Sequence, residues 1–310
     1  MTDRDWLAKA FSAAGKVAPR ATSPNPRVAC VLVRGGKYAV GVHKGGPHAE
    51  PQALARLDGR GATAYVTMEP CMRFPGKRNP SCAEALVAAG VRRVVCGSLD
   101  PNPKVRGKGV AYLRRHGIRV EVTETKDAET LNPGFFSRMR RGRPWVILKT
   151  ALSLDGKAAA ANGRSRWVTG PAARKLVHAW RAECDAVLVG AGTLRADDPA
   201  LTAHGAGRDP LRVVLAGRKA LPKNAKAYPC LVYKEPIKSM LKDLSRRGVG
   251  TLFVEGGPKL HASFLKAGLV DEARVFIAPK LLAGATDPNA GRLDLTLKKV
   301  GGDFLFRGTL

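Results

Sequence analysis

Residues 47–71 read PHAEPQALARLDGRGATAYVTMEPC, and the fold prediction rests on this stretch. HAEPQALARL has the pattern of a helix, whereas TAYVTME is a strand-length apolar run that leads into a proline and Cys71. Strand-like and helical patterns keep alternating around it, with VACVLV before it and SCAEALVAAG, RRVVCGSLD, GKGVAYLRRHG and IRVEV after it. This alternation predicts an α/β protein built on a layered sheet.

A second series of strands and helices begins after residue 143. The first series ends at LNPGFFSRMRRGRP, a predicted helix with basic residues at its C-terminal end, followed by Pro144. The strand WVILKTALS and the helix GPAARKLVHAWRAEC follow, with Pro171 early in the helix, where proline is tolerated. Further predicted elements are the strands AVLVGAGT, LRVVLAG, TLFVEGG and EARVFIAPKLL and the helix PKLHASFLKAGL. We therefore predict two domains, residues 1–143 and residues 144–310.

The composition is that of an ordinary folded protein. The 310 residues are 45% hydrophobic and 25% charged, which is enough to bury two cores. No apolar run is long enough to span a bilayer. The N-terminal segment carries Asp3 and Asp5 where an export signal would be basic, so we interpret it as an amphipathic first helix. We expect a cytoplasmic protein without a membrane partner.

The net charge of +28, from 53 basic and 25 acidic residues, raises the hypothesis of nucleic-acid binding. Each predicted domain carries about half of this excess, and the longest basic block is RMRRGR at 138–143. A dispersed excess is more typical of a solvated surface than of a binding stripe. It would attract a phosphorylated small molecule as well as RNA.

Cysteine and histidine positions indicate a metal site. Zinc prefers imidazole and thiolate ligands in tetrahedral geometry, and a catalytic site keeps one position open for water. His48, Cys71 and Cys82 supply three ligands, and Glu50 can carry a proton from that water to a leaving amine. Histidine-x-glutamate followed by proline-cysteine and a later cysteine is the zinc-deaminase signature. A closed structural site, which would need a fourth ligand, or unrelated cysteines are the alternatives.

The remaining cysteines and the loop between the two ligands carry weaker signals. Cys30 and Cys96 stand in apolar runs, so we expect buried structural thiols. The ten residues MRFPGKRNPS separate Cys71 from Cys82, and their basic side chains suggest a phosphate-bearing substrate. A solvated turn is the alternative for each of those basic residues.

Several motifs together resemble one family, the bifunctional riboflavin-biosynthesis deaminase–reductases, which act on a diaminopyrimidinone ribosylamino phosphate. The motifs PNPRVACVLV (24–33), PHAE (47–50), GATAYVTMEPC (61–71) and DPNPKVRGKG (100–109) resemble the deaminase half. The motifs LKTALSLDGKAAAANGRSRWVTG (148–170), ADDPALT (196–202) and VEGGPKL (254–260) resemble the reductase half. The resemblance implies a cytidine-deaminase-like three-layer domain followed by a dihydrofolate-reductase-like α/β domain. It also implies zinc and NADPH as cofactors and a homo-oligomeric assembly.

In the first domain, the resemblance implies that His48, Cys71 and Cys82 bind zinc and that Glu50 transfers protons. It also implies four residues that line the substrate pocket, namely Asn25, His43, Lys77 and Asn102. Asn25 and Asn102 stand in proline-braced turns, which can hold an amide rigidly for recognition of a base. Turn chemistry alone is the alternative for both.

In the second domain, TLFVEGGPKLHASFL is a predicted strand, a glycine turn and a helix, and amides at such a helix start suit the phosphates of a dinucleotide. The resemblance implies NADPH contacts from Leu152, Trp167, Thr193, Asp197, Gly257, Pro258, Lys259, Leu260, His261, Ala262 and Ser263. It implies substrate contacts from Ser165, Arg181, Leu201 and Glu255. Lys149 and Glu255 are the candidate catalytic groups for passing a hydride from the nicotinamide to the sugar carbon that bears the amine. Without the resemblance, core packing would be the interpretation of Trp167 and Leu201.

Three features depart from the family pattern. The loop between the cysteines is two residues longer, Arg73 replaces a histidine near the substrate, and His204 replaces an arginine that holds the substrate phosphate. Arg208 can take over that role. These departures leave open a deaminase–reductase for a related pyrimidine metabolite. The charge leaves open a nucleic-acid deaminase, although such an enzyme would not need the second domain. A last alternative is that one domain is a scaffold kept for assembly.

Overall fold

The computed structural model describes residues 1–73, 81–159, 168–217, 220–282, 294–300 and 303–309. Proximity of Cα atoms divides the chain into two compact units: Met1–Pro144 with Leu241–Gly250, and Trp145–Met240 with Thr251–Leu310. The division after Pro144 lies beside the domain boundary expected from the sequence. Residues 241–250, however, group with the first unit, which the sequence did not indicate.

The first unit contains a mixed sheet with the strand order β2-β1-β3-β4-β5. Its strands are β1 (Ala29–Arg34), β2 (Lys37–Val42), β3 (Thr63–Val66), β4 (Arg93–Cys96) and β5 (Arg119–Val122). Strand β1 pairs antiparallel with β2 and β3, whereas β3, β4 and β5 run parallel. The helices before residue 144 are α1 (Asp3–Gly15), α2 (Ala49–Leu54), α3 (Cys82–Ala88), α4 (Lys108–Arg115), α5 (Asp127–Leu131) and α6 (Pro133–Arg141).

Strand β1 shows why this unit has three layers. Successive side chains of a strand point to opposite faces of the sheet. Ala29 and Val31 pack in a core cluster with residues of α1, whereas Cys30 and Leu32 pack in a second cluster with residues of α2, α3 and α4. Helices therefore cover both faces, which confirms the three-layer prediction. The burial of Cys30 and Cys96 likewise confirms that they are core thiols.

The N-terminal helix is also confirmed, and its start has a local cause. The Thr2 hydroxyl accepts from the Asp5 amide at 3.3 Å, and the Asp5 carboxylate accepts from the Thr2 amide at 2.8 Å. This reciprocal pair is a capping box, which satisfies two amide groups that a helix start leaves without partners. Asp5, which argues against an export signal in the sequence, thus helps to cap the start of a folded helix.

Helix α2, which follows His48, packs directly on the backbone of β2 at Gly41. A Cβ atom added at Gly41 would lie 1.9 Å from the Ala49 carbonyl oxygen and 2.7 Å from the Ala53 amide nitrogen. No side chain fits this space, so glycine permits the close approach. The approach fixes where the first turn of α2 stands relative to the sheet.

We therefore expect Gly41→Ala to displace α2 and to lower the free energy of unfolding by about 1–3 kcal/mol, the usual cost of overpacking. Differential scanning calorimetry and the bound zinc per chain measure the two effects. Gly15→Ala is the matched control, because no other element in the described ranges comes within 4 Å of a Cβ at that position. A Gly41→Ala protein as stable and as zinc-rich as the control variant would contradict the close packing.

The second unit contains a sheet with the strand order β11-β6-β10-β7-β8-β9, and every pairing in it is parallel. Its strands are β6 (Trp145–Ser153), β7 (Ala186–Gly190), β8 (Leu211–Leu215), β9 (Leu231–Tyr233), β10 (Thr251–Val254) and β11 (Glu272–Ala278). Strands β12 (Asp294–Val300) and β13 (Asp303–Thr309) form a separate antiparallel hairpin. The helices after residue 144 are α7 (Pro171–Glu183), α8 (Ala191–Asp197), α9 (Ile237–Arg246) and α10 (Pro258–Lys266). Helix α9 is divided between the units, because its residues from Leu241 onward group with the first.

The parallel arrangement places the ends of several strands at one edge of the sheet. Strand β10 lies between β6 and β7, so the turns that follow these three strands are neighbours. The crevice at the carboxyl ends of parallel strands is where open α/β sheets bind their ligands. The glycine turn after β10 and the end of β6 are therefore expected to share one site.

The predicted elements are present, with several additions. The pattern AVLVGAGT was predicted as strand, but β7 ends at Gly190 and α8 begins at Ala191. Gly190 has the extended backbone of an N-cap, and a glycine at the end of an apolar run is compatible with either structure. The elements β2, α5, α8, β9, α9, β12 and β13 were not predicted. Among the described residues, the helices are too short or too polar to cross a membrane.

Candidate active sites

Three elements of the first unit bring the predicted metal ligands together. His48 is the N-cap of α2, Cys71 follows β3 by a short segment, and Cys82 is the first residue of α3. The His48 Nδ1 atom lies 3.4 Å from the Cys71 Sγ atom and 3.3 Å from the Cys82 Sγ atom. The three donor atoms all lie within 4.8 Å of one another.

This geometry fits a tetrahedral zinc ion. Bond lengths of zinc to sulfur and nitrogen place neighbouring ligand atoms about 3.5–3.8 Å apart. The observed separations need only slight expansion to reach that spacing. In the part of the chain that the structure describes, the cluster holds three donors, so it leaves the fourth position that a catalytic site keeps for water.

Glu50 lies in the first turn of α2 and is 3% exposed. Burial, with a further contribution from the charge of Cys71, raises the pKa of Glu50 to about 7. A dication bound by the ligands would act in the opposite direction, because a positive charge favours the carboxylate. Glu50 is thus a carboxyl group held beside the ligand cluster and away from bulk water.

His43 lies next to His48, and one of its buried ring nitrogen atoms can form a hydrogen bond with a ligand. Its ring centroid lies 5.1 Å from that of His48, and its Nδ1 atom lies 3.3 Å from the Pro47 carbonyl oxygen. Within the described residues, its buried Nε2 atom has no hydrogen-bond partner. Buried polar atoms are nearly always paired, so Nε2 is suited to a hydrogen bond with a bound substrate. Burial lowers the pKa of His43, which favours the neutral ring.

The two predicted amide residues both lie in braced turns. The backbone amide of Asn25 donates to the backbone carbonyl of Thr22 at 2.8 Å, and the Thr22 hydroxyl donates to the backbone carbonyl of Asn25 at 3.0 Å. The Asn102 Oδ1 atom accepts from the Lys104 amide at 3.0 Å, which closes a turn and fixes the plane of the side-chain amide. The Asn102 side chain therefore does stabilise a turn through its oxygen atom. Its Nδ2 group can still donate a hydrogen bond to a base. Lys77 lies outside the described residues.

Arg73, which departs from the family pattern, forms an ion pair with Glu84. The Arg73 Nε atom lies 2.9 Å from a Glu84 carboxylate oxygen, and the arginine side chain is 73% exposed. An exposed pair of this kind contributes little free energy. The guanidinium can therefore leave Glu84 for a phosphate at small cost.

A buried ion pair marks the candidate reductase site. The Arg181 Nε and Nη2 atoms of α7 donate to the two carboxylate oxygens of Glu255, at 2.6 and 2.9 Å. The side chains are 11% and 8% exposed. The Arg181 Nη1 atom also donates to the Thr202 carbonyl at 3.0 Å. Two predicted substrate contacts are thus bound to each other at the end of β10.

Lys149 of β6 belongs to the same region. Leu148 of β6 pairs with Val254, the last residue of β10. Lys149 and Glu255 are the residues that directly follow this pair along the two chain segments. Burial lowers the pKa of Lys149, while the charge of Glu255 opposes this effect and that of Arg181 adds to it. Burial also lowers the pKa of His261 of α10, and Lys149 contributes to that effect. These groups form one electrostatically connected cluster.

Two glycine turns lie at adjacent strand ends and can receive a dinucleotide. Gly190 is the N-cap of α8 and Gly257 is the N-cap of α10, so neither helix start is capped by the side chain of its N-cap residue. A Cβ at Gly256 would lie 2.3 Å from the Leu260 Cδ2 atom, and one at Gly257 would lie 3.8 Å from the Thr193 hydroxyl. Thr193 and the Gly257 turn are thus brought together. Backbone amides at uncapped helix starts bind phosphate groups, which fits NADPH.

The other predicted contacts are distributed as follows. Leu201 and Leu260 are buried. Leu152 is partly buried opposite Ile277 of β11, and Asp197 is the last residue of α8. Pro258, Lys259, Ala262 and Ser263 are exposed on α10. Ser165 and Trp167 lie outside the described residues.

The sequence analysis missed His178, which lies on α7 three residues before Arg181. Its ring stacks on that of His204 with centroids 4.3 Å apart and planes 28° apart. Burial lowers the pKa of His178, and His204 and Arg181 add to that effect. The spacing of three residues on a helix places His178 on the same face as Arg181, and this signal could have identified it.

Comparison with protein families assigns both halves of the chain. Residues 4–98 match the cytidine and deoxycytidylate deaminase zinc-binding region, and residues 144–301 match the RibD C-terminal domain. The riboflavin biosynthesis protein RibD of Haemophilus influenzae is 40% identical over 84% of this chain and 82% of that protein. The RibD protein of Escherichia coli is 38% identical over 91% of this chain and 89% of that protein.

Solved structures agree with this assignment over both units. The RibD structure from Acinetobacter baumannii has a TM-score of 0.84 at 37% identity and covers 99% of this chain and 98% of its own. The deaminase/reductase from Thermotoga maritima has a TM-score of 0.80 at 32% identity, with 98% and 97% covered. The predictions of a zinc deaminase, a reductase and their two cofactors are thereby confirmed. The chain therefore belongs to the RibD family, in which a zinc-dependent pyrimidine deaminase and an NADPH-dependent reductase of riboflavin biosynthesis share one polypeptide.

Proposed function

We propose that two sites of this chain catalyse successive steps on one phosphorylated pyrimidine. His48, Cys71 and Cys82 would hold zinc, and Glu50 would transfer the protons of deamination. Lys149, Arg181 and Glu255 would form the reductase centre. The convergence of the His48 Nδ1 atom on two thiols beside the buried Glu50 is the observation that supports the proposal most strongly.

In deamination, the chain positions the substrate and moves protons. When bound, zinc acts as a Lewis acid that makes water a nucleophile at neutral pH. Glu50 takes a proton from the attacking water and returns it to the amine, which leaves as ammonia. His43 Nε2 and the side-chain amides of Asn25 and Asn102 hydrogen-bond the ring and its substituents. Arg73 and Lys77 of the loop between the cysteines attract the phosphate.

In reduction, the chain aligns two molecules for hydride transfer. NADPH supplies the hydride, and the glycine turns at Gly190 and Gly257 bind its phosphates through backbone amides. Thr193 and Asp197 of α8 and the exposed face of α10 border the same cofactor. Lys149 stands beside Glu255 and donates a proton to the ring oxygen of the sugar as the ribose opens to ribityl. The Arg181–Glu255 pair orients the sugar hydroxyl groups.

A mass-resolved time course on the diaminopyrimidinone ribosylamino phosphate tests this assignment. Zinc-loaded protein is expected to release ammonia without NADPH and to add two hydrogens only when NADPH is present. If zinc-loaded protein neither releases ammonia from this substrate nor adds two hydrogens to it, the assignment is rejected, and attention moves to Arg73 and His204, where the chain departs from the family. The stacking of His204 on His178 favours a related phosphorylated pyrimidine as the second candidate, and the same assay separates the two.

Removal of zinc is expected to separate the two activities. A strong chelator should abolish deamination, because the three ligands alone provide no Lewis acid, whereas reduction of the deaminated substrate by NADPH should continue. Ammonia release and NADPH oxidation measure the two steps, and added zinc should restore the first. Equal loss of both activities would show that zinc also supports the second unit.

We also propose that the first activity resides in residues 1–143 and the second in residues 144–310, in a cytoplasmic homo-oligomer that does not act on nucleic acid. The even spread of basic residues supports a small-molecule substrate. Val275 and Ile277 on the edge strand β11 are 53% and 46% exposed, which supports burial against a second copy of the chain. Limited proteolysis tests the domain bounds, cell fractionation tests the location, and light scattering tests the oligomer. A tRNA deamination assay tests whether the protein acts on nucleic acid.

A further inference from the structure

Glu69 is a buried carboxylate that stands two residues before Cys71. It is 4% exposed, and its own backbone amide donates to the Ser98 carbonyl at 2.9 Å. An ionised group at this depth requires compensating hydrogen bonds, since burial otherwise disfavours charge strongly. The zinc cluster and Glu50 make no use of this side chain, so its burial needs a separate explanation.

Four backbone amides supply the compensation. The Oε2 atom of Glu69 accepts from the Asp100 amide at 3.1 Å and from the Gly107 amide at 2.8 Å. The Oε1 atom accepts from the Gly109 amide at 2.9 Å and from the Val110 amide at 3.2 Å. The two oxygens therefore close both ends of the segment 100–107, which contains Asn102, and reach the first turn of α4.

Glu69 replaces the missing N-cap side chain of α4. The N-cap residue is Gly107, which has a φ angle of +74° and no side chain to accept from the helix amides. An N-cap side chain normally accepts from the second or third amide of the helix, and Glu69 accepts from both. A carboxylate at a helix start is also favoured by the helix dipole. A distant residue thus caps the helix that ends the Asn102 loop.

The helix start also contacts the backbone between Glu69 and Cys71. A Cβ atom at Gly109 would lie 1.9 Å from the Pro70 carbonyl oxygen and 3.2 Å from the Glu69 Oε1 atom. The start of α4, which follows the Asn102 loop, therefore packs backbone to backbone on the segment that carries Cys71. The Glu69 carboxylate joins the two segments.

We propose that Glu69 is a positioning residue for deamination, which fixes the Asn102 loop and the start of α4 relative to Cys71. Its link to activity rests on the proposed function, because Asn102 and Cys71 have their roles there. Its carboxylate accepts hydrogen bonds from backbone amides and does not belong to the cluster of His48, Cys71 and Cys82. It acts through the loop that it holds.

Glu69→Gln in the full-length, zinc-loaded protein tests this role. An amide offers one acceptor oxygen, so two of the four backbone amides would face an NH₂ group. We expect KM for the diaminopyrimidinone to rise at least about tenfold, with a smaller change in kcat, since hydrogen bonds to a charged group are stronger than those to a neutral amide. Hydrogen exchange at the Asp100, Gly107, Gly109 and Val110 amides should accelerate.

Two further variants make the test specific. Glu69→Asp keeps both acceptor oxygens on a shorter side chain, so it should restore part of the KM and part of the amide protection, and it serves as the test protein if Glu69→Gln does not fold. Glu121→Gln removes an exposed carboxylate of β5 in the same unit and should leave KM and exchange unchanged.

Unchanged hydrogen exchange at the four amides would overturn the proposal. Faster exchange with wild-type KM and kcat would also overturn it, because Glu69 would then have a purely structural role. A wild-type protein that fails to deaminate the substrate would reject the proposed function instead. The role of Glu69 would then be judged by amide exchange and by the rate of zinc loss to a chelator, expected to be faster in Glu69→Gln.

Discussion

Glu50→Gln is expected to lower kcat for deamination by about 10²–10⁴-fold, the usual contribution of a positioned general acid–base group. Glutamine keeps the size of the side chain and its place in the first turn of α2, but it cannot take a proton from water and pass it to the leaving amine. Because the metal ligands are untouched, the zinc content should remain that of the wild type. Ammonia release under saturating substrate measures the effect.

Two internal controls accompany this variant. Reduction of the deaminated substrate by NADPH should proceed at the wild-type rate, since it uses the second unit. Glu121→Gln should leave both activities intact. Deamination by Glu50→Gln at more than about a tenth of the wild-type kcat, with zinc bound, would contradict the assigned role.

Arg181→Met is expected to have the largest effect on the second unit. The substitution leaves the buried Glu255 without its two hydrogen bonds, and breaking a buried pair in this way costs about 3–5 kcal/mol of stability. It also removes a group that orients the sugar, so kcat/KM for reduction should fall at least about 100-fold, equivalent to about 2.7 kcal/mol. Calorimetry and NADPH oxidation measure the two effects, while deamination should persist.

A double variant separates stability from function. Arg181→Met combined with Glu255→Gln removes both charges, so much of the lost stability should return, whereas reduction should not. Lys226→Met breaks the exposed pair with Asp198 and should change the stability by less than about 1 kcal/mol. Recovery of reduction in the double variant would show that the pair serves only the fold.

The sequence predicted most of the elements because their signals are local. The run WVILKTALS became β6 with the predicted bounds, and the predicted helix PKLHASFLKAGL is helical from Pro258 to Lys266, three residues short of its predicted end. The three residues that could hold a metal ion were singled out for the same reason: their spacing and residue types reflect zinc chemistry rather than the tertiary fold. The fold class and the two activities also followed from motifs that can be read along the chain.

The features that the sequence did not predict depend on distant contacts. The closeness of Gly41 to α2, the stacking of His178 on His204 and the capping of α4 by Glu69 each join residues from separate elements. Leu201, which is predicted as a substrate contact from its motif position, has its side chain in the core, and its contact with a substrate stays a prediction. A motif marks a position in the chain but does not state which way its side chain points.

The pairing pattern of the two sheets has a consequence for synthesis on the ribosome. The first sheet is complete once residue Val122 has been made, because its five described strands all lie between Ala29 and Val122. Strand β6 instead pairs with β10 and with β11, and its Ile147 must wait about 125 residues for its partner Glu272. Sheets with such distant parallel pairings form slowly, whereas N-terminal units fold first during translation. The deaminase sheet can therefore assemble while β6 of the reductase sheet is still an unpaired apolar segment.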